Sequence, residues 1–140
     1  MKLLKTLPIA TALSLALATG ITNVYADDGI TYEGSELYAL NCANCHGTYG
    51  EGDGAVTPDL NVVLLDLRFL ADRNGGEFPA DFVVKIIDGR ETRAAHGPTG
   101  MPVWGAEFAR GEGTSEAAEA RVQQKIQAIV EFISSIQLSQ

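Results

Sequence analysis

Cys42 and Cys45, three apart and followed at once by His46, constrain the fold more than any other feature of this 140-residue chain. Spacings of three and four place all three side chains on one face of a helical turn. One short helix end can therefore present two thiols and an imidazole to the same body. Cys-x-x-Cys-His reads as a c-type haem attachment site, in which the thiols add across the two vinyl groups and the adjacent imidazole meets the iron. A chain with this motif folds around a porphyrin that stays tied to it.

Two other chemistries use Cys-x-x-Cys. A thioredoxin-like redox pair belongs to a βαβ setting, and a structural zinc site requires further Cys or His ligands. Cys42 and Cys45 are the only cysteines and His96 is the only other histidine. Neither setting is met by the sequence.

The N-terminus places the chain in a compartment where haem is attached. Lys2 and Lys5 form a positive region, residues 7–18 are apolar, and Val24-Tyr25-Ala26 offers small residues at the two positions a signal peptidase reads. A cleaved secretory signal peptide over residues 1–26 is expected, leaving 27–140 as one domain in the periplasm. The apolar run, interrupted by Thr11 and Ser14, falls short of the roughly 20 residues that span a bilayer, so an uncleaved anchor is the weaker reading. No membrane span is expected in the mature chain. In an oxidising compartment a free cysteine pair closes into a disulfide unless something consumes the thiols, as thioether bonds would.

Charge narrows the partners. All 18 acidic residues follow position 26, whereas Lys2 and Lys5 precede it, so residues 27–140 carry eight basic groups and a net charge of −10. That excludes nucleic acid and favours a basic docking surface, through a field that salt screens. A domain of this size buries only a modest core, and folding is expected to depend on the haem.

The mature chain reads as helices joined by glycine-rich loops. A C-terminal helix is expected over 115–136, where Val122, Ile126, Ile129 and Ile133 recur at helical spacing. A second covers 34–44 and breaks in the Gly47, Gly50, Gly52, Gly54 segment. A third follows Pro79, carries Phe82, Val83, Ile86 and Ile87 on one stripe and ends at Gly89. The run Val62-Val63-Leu64-Leu65 fits a strand or a short helix, and among helices the helix is favoured.

Met101 is the only methionine after the signal peptide and lies in Gly100-Met101-Pro102-Val103-Trp104-Gly105. A thioether is a soft, neutral ligand that favours ferrous iron and raises the reduction potential relative to two imidazoles. Pro102 fixes φ and removes a backbone donor, which stiffens the segment. Met101 is therefore read as the second axial ligand, against the alternative that it only fills the core.

Together these residues resemble a class I (monohaem) bacterial cytochrome c, over most of residues 30–138. The resemblance implies an all-α fold, the small class I cytochrome c fold, with three to five helices wrapped around one covalent haem c and its iron. Cys42 and Cys45 match the thioether positions, His46 the proximal ligand and Met101 the distal one. Gly34 and Tyr38 match the small and aromatic positions of an N-terminal helix that crosses the C-terminal helix closely, and Phe132 the aromatic that meets them. Pro58, twelve residues after His46, matches the proline whose carbonyl accepts the proximal imidazole proton, a bond that would fix the ring. Met-Pro-x-Trp-Gly resembles the ligand loop of many bacterial members.

Departures from the family also inform. Mitochondrial members surround the haem edge with lysines, whereas only Lys85 and Lys125 follow residue 26 here, so the usual acidic docking faces are not expected as partners. Residues 61–78 and 90–99 carry no assignable motif. Arg90, Arg93 and His96 are read as solvated loop residues rather than partners of a haem propionate. Trp104 is read as packing, with a wall of the haem pocket as the alternative.

The expected function is electron transfer: one electron carried on a His46/Met101-ligated haem between larger redox proteins, by a monomer or a subunit of a redox complex. No nucleophile, acid–base pair or substrate-pocket motif is evident, so a carrier rather than an enzyme is expected. The alternative is a haem ligand-binding or peroxidase-like protein with an open or labile sixth iron position; replacement of Met101 by His96, five residues away, would instead give a bis-histidine iron of low potential.

Overall fold

The computed structural model describes residues 27–60, 63–90 and 100–139. The expected signal peptide, Val62, Arg93 and His96 lie outside them. Among the described residues there are six α-helices and no strand: α1 Asp27–Asn41, α2 Ala43–His46, α3 Leu70–Arg73, α4 Ala80–Asp88, α5 Trp104–Ala109 and α6 Glu116–Ser135. The all-α expectation is met. The count exceeds three to five because the Cys-x-x-Cys-His motif and the segment after Phe69 each form a separate four-residue helix.

The longest helix, α6, starts where the sequence supplies a cap. The Ser115 side chain accepts the Ala118 N–H at 3.1 Å, and Glu116 and Glu119 lie in the first turn, where the helix dipole favours negative charge. Ala118, Val122, Ile126, Ile129 and Ile133 are buried along one stripe, each three or four residues from the next.

Helix α1 crosses α6 at close range. A Cβ at Gly34 would collide with the Ala128 carbonyl and lie 3.1 Å from Phe132 Cβ, so only glycine lets the two backbones meet there. One turn on, Tyr38 packs on Phe132 with ring centroids 5.0 Å apart and planes tilted by 48°. This matches the Gly34, Tyr38 and Phe132 contact implied by the resemblance.

Helix α1 begins before residue 34 and ends at Asn41; Cys42, at φ −116° and ψ −39°, stays in the right-handed helical region and joins it to α2. Helix α4 follows Pro79 and ends at Gly89 in the left-handed conformation (φ 65°). Val83 and Ile87 are its buried pair, whereas Phe82 is 60% exposed. The expected stripe is shifted in the fold, with Ala80 and Val84 of α4 packed at the edge of the core beside that pair.

The apolar run around residue 63 differs from expectation. Val63, Leu64 and Leu65 form neither strand nor helix, and Val63 is 93% exposed. Helical structure starts later, at the 3-10 turn Leu67–Phe69, where the Asp66 side chain accepts the Arg68 N–H at 2.9 Å and sets the boundary. Gln137, after α6, ties this region down, donating to the Leu67 carbonyl and accepting from the Ala71 N–H, both at 2.9 Å.

Tyr38, Cys42, Val83 and Ile87 form one buried cluster with Val122, Ile126, Ile129, Val130 and Ile133 of α6, and Met101, Trp104 and Phe108 pack against its edge. The cluster contains no charged group. No helix among the described residues is long and apolar enough to cross a membrane.

Candidate haem site

The Cys-x-x-Cys-His motif sits where α1 ends, so its position is set by the α1–α6 crossing. Cys42 still donates its N–H to the Tyr38 carbonyl at 2.8 Å, while the N–H groups of Cys45 and His46 both reach the Cys42 carbonyl, at 3.1 and 2.9 Å. Cys42, Cys45 and His46 thus share one helical turn.

A helix this short exposes most of its carbonyls, and the glycine-rich segment folds back to satisfy them. Val56 N–H donates to the Asn44 carbonyl (3.1 Å), Gly54 N–H to Cys45 (3.2 Å), Gly52 N–H to His46 (2.8 Å) and Gly47 N–H to Ala43 (2.9 Å). The Thr57 hydroxyl adds a second donor to the Cys45 carbonyl at 2.7 Å. Every carbonyl from Cys42 to His46 therefore accepts a hydrogen bond. Gly54 is the residue that permits this: a Cβ there would collide with the Asn44 carbonyl and lie 2.5 Å from the Cys45 carbonyl carbon and oxygen.

Both cysteines are free thiols. Cys42 is 5% exposed, and burial, followed by the neighbouring Cys45, pushes its thiol up to about 12. It stays neutral at physiological pH and packs as a small apolar group. His46 is half-buried with Nδ1 turned into the protein. Tyr38 closes the far side, its buried hydroxyl donating to the Gly47 carbonyl at 3.0 Å. The 3-10 turn Thr57–Asp59 carries Pro58, exposed, beside this bracket, but the bond from His46 Nδ1 to its carbonyl that the resemblance implies is not formed.

Met101 comes from the C-terminal half of the chain. It is half-buried and packs on the cluster that contains Cys42. Trp104, at the start of α5, stacks on Phe108 with centroids 5.5 Å apart, which places it in packing. Arg90 does not stand as a free loop cation, because both Asp88 and Glu119 bind its guanidinium. His96 lies outside the described residues.

The donor set fits a covalently held haem. Two free thiols and an imidazole lie on one turn, and a neutral thioether packs on the same apolar cluster, which is a soft, low-charge environment for iron. It does not fit zinc. Among the described residues no group of three or more His, Cys, Asp or Glu side chains could share a metal ion.

Sequence reasoning missed Thr57, Gln137 and the partners of Arg90. A threonine one residue before the recognised Pro58 was the only local signal for the first; Gln137 and the Glu119 partner of Arg90 make contacts between residues about 30 to 70 positions apart, whereas Asp88 lies only two residues from Arg90.

No curated protein and no solved structure matches the chain. The family model for cytochrome c matches residues 32–137, which include the thiols, the imidazole, Met101 and the α1–α6 crossing. The chain belongs to the cytochrome c family, whose members bind a covalently attached haem c and transfer electrons through its iron.

Proposed function

We propose that this protein is a periplasmic one-electron carrier, exported by a cleaved signal peptide at residues 1–26, with haem attached through Cys42 and Cys45 and its iron held by His46 and Met101. The observation that carries this reading is the convergence of both halves of the chain on one apolar cluster: Cys42 within it and Met101 against it. When bound, the haem supplies a one-electron ferric/ferrous couple.

The remaining work falls to the chain. Cys42 and Cys45 fix the porphyrin to a turn whose carbonyls are all accepted, so the anchor does not shift with charge on the iron. His46 presents its imidazole from this turn with Nδ1 buried in the protein. Met101 supplies a neutral donor that favours the reduced state. The apolar cluster excludes water, and Pro102 limits the motion of the methionine backbone. A basic redox partner is favoured by the net charge of −10 over residues 27–140.

Exposure of the reduced holoprotein to carbon monoxide tests the carrier against an open-iron protein. A methionine-capped iron leaves the spectrum unchanged. Ready carbon monoxide binding would replace the proposal with ligand binding or peroxidase-like chemistry.

A further inference from the structure

Outside the motif, the densest group of charged side chains joins the end of α4 to the first turns of α6. Asp88 holds Arg90 through two contacts, Oδ1 to Nε at 2.6 Å and Oδ2 to Nη2 at 2.8 Å. Glu119 holds the other edge of the same guanidinium, Oε2 to Nη1 at 2.8 Å and Oε1 to Nη2 at 2.6 Å. Gln123 then donates to Asp88 at 2.9 Å and to Glu119 at 3.0 Å. Doubly bidentate geometry of this kind selects arginine over lysine.

This cluster rests on the segment that follows Met101. A Cβ at Gly105 would collide with Asp88 Oδ1 and lie 2.6 Å from Arg90 Nε, and a Cβ at Gly89 would lie 3.4 Å from Val103 Cα. Residues 88–90 are therefore pressed onto Val103 and Gly105, two and four positions after Met101. The ion pairs fasten that stack to α6, the helix with the largest share of the core.

We infer that Arg90 is a positioning residue: with Asp88, Glu119 and Gln123 it staples the Met101 segment to α6 and so keeps the thioether on the iron. The inference rests on the proposed Met101 ligation. Arg90 and Glu119 are 33% and 49% exposed, so the staple is accessible to salt. An exogenous ligand binds only when the methionine is off, and its apparent affinity reports the population of that state.

The test is an imidazole titration of the ferric holoprotein, followed through loss of the weak red sulfur-to-iron band. Arg90→Gln should bind imidazole roughly fivefold more tightly than the parent protein, on the scale of a small network of partly exposed ion pairs. Glu119→Gln, on another helix and at an exposed position, should show a similar gain and carries the test if Arg90→Gln does not fold. The double variant should gain no more than either single one. Added salt should strengthen imidazole binding to the parent protein and leave both variants nearly unchanged. Affinities within twofold of the parent, or additive single effects, would overturn the staple. The parent is measured first: absence of its sulfur band overturns the Met101 assignment itself and the staple's role with it, an outcome distinct from a band that is present and indifferent to Arg90.

Discussion

At the residue scale, Tyr38 links the crossing to the motif. Its ring packs on Phe132 of α6, and its hydroxyl satisfies the carbonyl of Gly47, the first residue after His46. Burial is the largest reason that its phenol is held above the usual tyrosine range, so the hydroxyl remains a donor at any working pH. Tyr38→Phe keeps the packing and removes one of two donors to the Gly47 carbonyl, the Gly50 N–H at 3.3 Å being the other, which costs about 1 kcal/mol. Thermal denaturation of the holoprotein should show a lower Tm with the haem still covalent; an unchanged Tm would mean that the hydroxyl contributes nothing. Replacing both Cys42 and Cys45 by alanine should remove covalent haem altogether, read by the intact mass.

The spacing of Cys42, Cys45 and His46 was legible because three bonds to one rigid body demand neighbouring positions on one turn. Met101 stood out through scarcity. Thr57 carried no such signature, since a hydroxyl that bonds a carbonyl twelve residues earlier depends on how the glycine loop closes.

At the element scale, the fold depends on two places where backbones touch. Gly34→Ala would push α1 away from Ala128, and Gly54→Ala would push the glycine loop off the Cys45 carbonyl. Overpacking against backbone, which yields less than a side chain, costs about 1–3 kcal/mol or more. Denaturant unfolding of Gly34→Ala should move to a lower midpoint, and Gly54→Ala should also reduce the yield of covalent haem. Wild-type behaviour of either variant would show that the helices or the loop can part without loss.

Long periodic elements were legible and short ones were not. Helix α6 announces itself through its apolar stripe, whereas α5, six residues from Trp104 to Ala109, spans too few turns to show a period. The run at 63–65 misleads because a local apolar string does not record that α6 and α4 already fill the core.

At the scale of the whole molecule, surface carboxylates fasten loops to α6 from both sides. Lys125 and then Arg121 hold Glu112 down to about 2, and Arg90 and then Gln123 hold Glu119 down to about 2. Their folded values lie below the ordinary 4.5. The stabilisation is therefore present above pH 4.5 and is lost as pH falls toward 2. The holoprotein's Tm should decline across that window, less steeply in Glu112→Gln and at high salt. A flat profile would show these exposed pairs to be inert. Association with a basic redox partner should likewise slow as salt rises.

The most direct measurement is the ferric optical spectrum of the holoprotein beside that of Met101→Ala. A low-spin covalent haem with the weak red sulfur-to-iron band in the parent, lost in the variant together with a fall in potential, is the predicted result. An unchanged spectrum and potential in Met101→Ala, or a high-spin parent, would contradict His46/Met101 ligation.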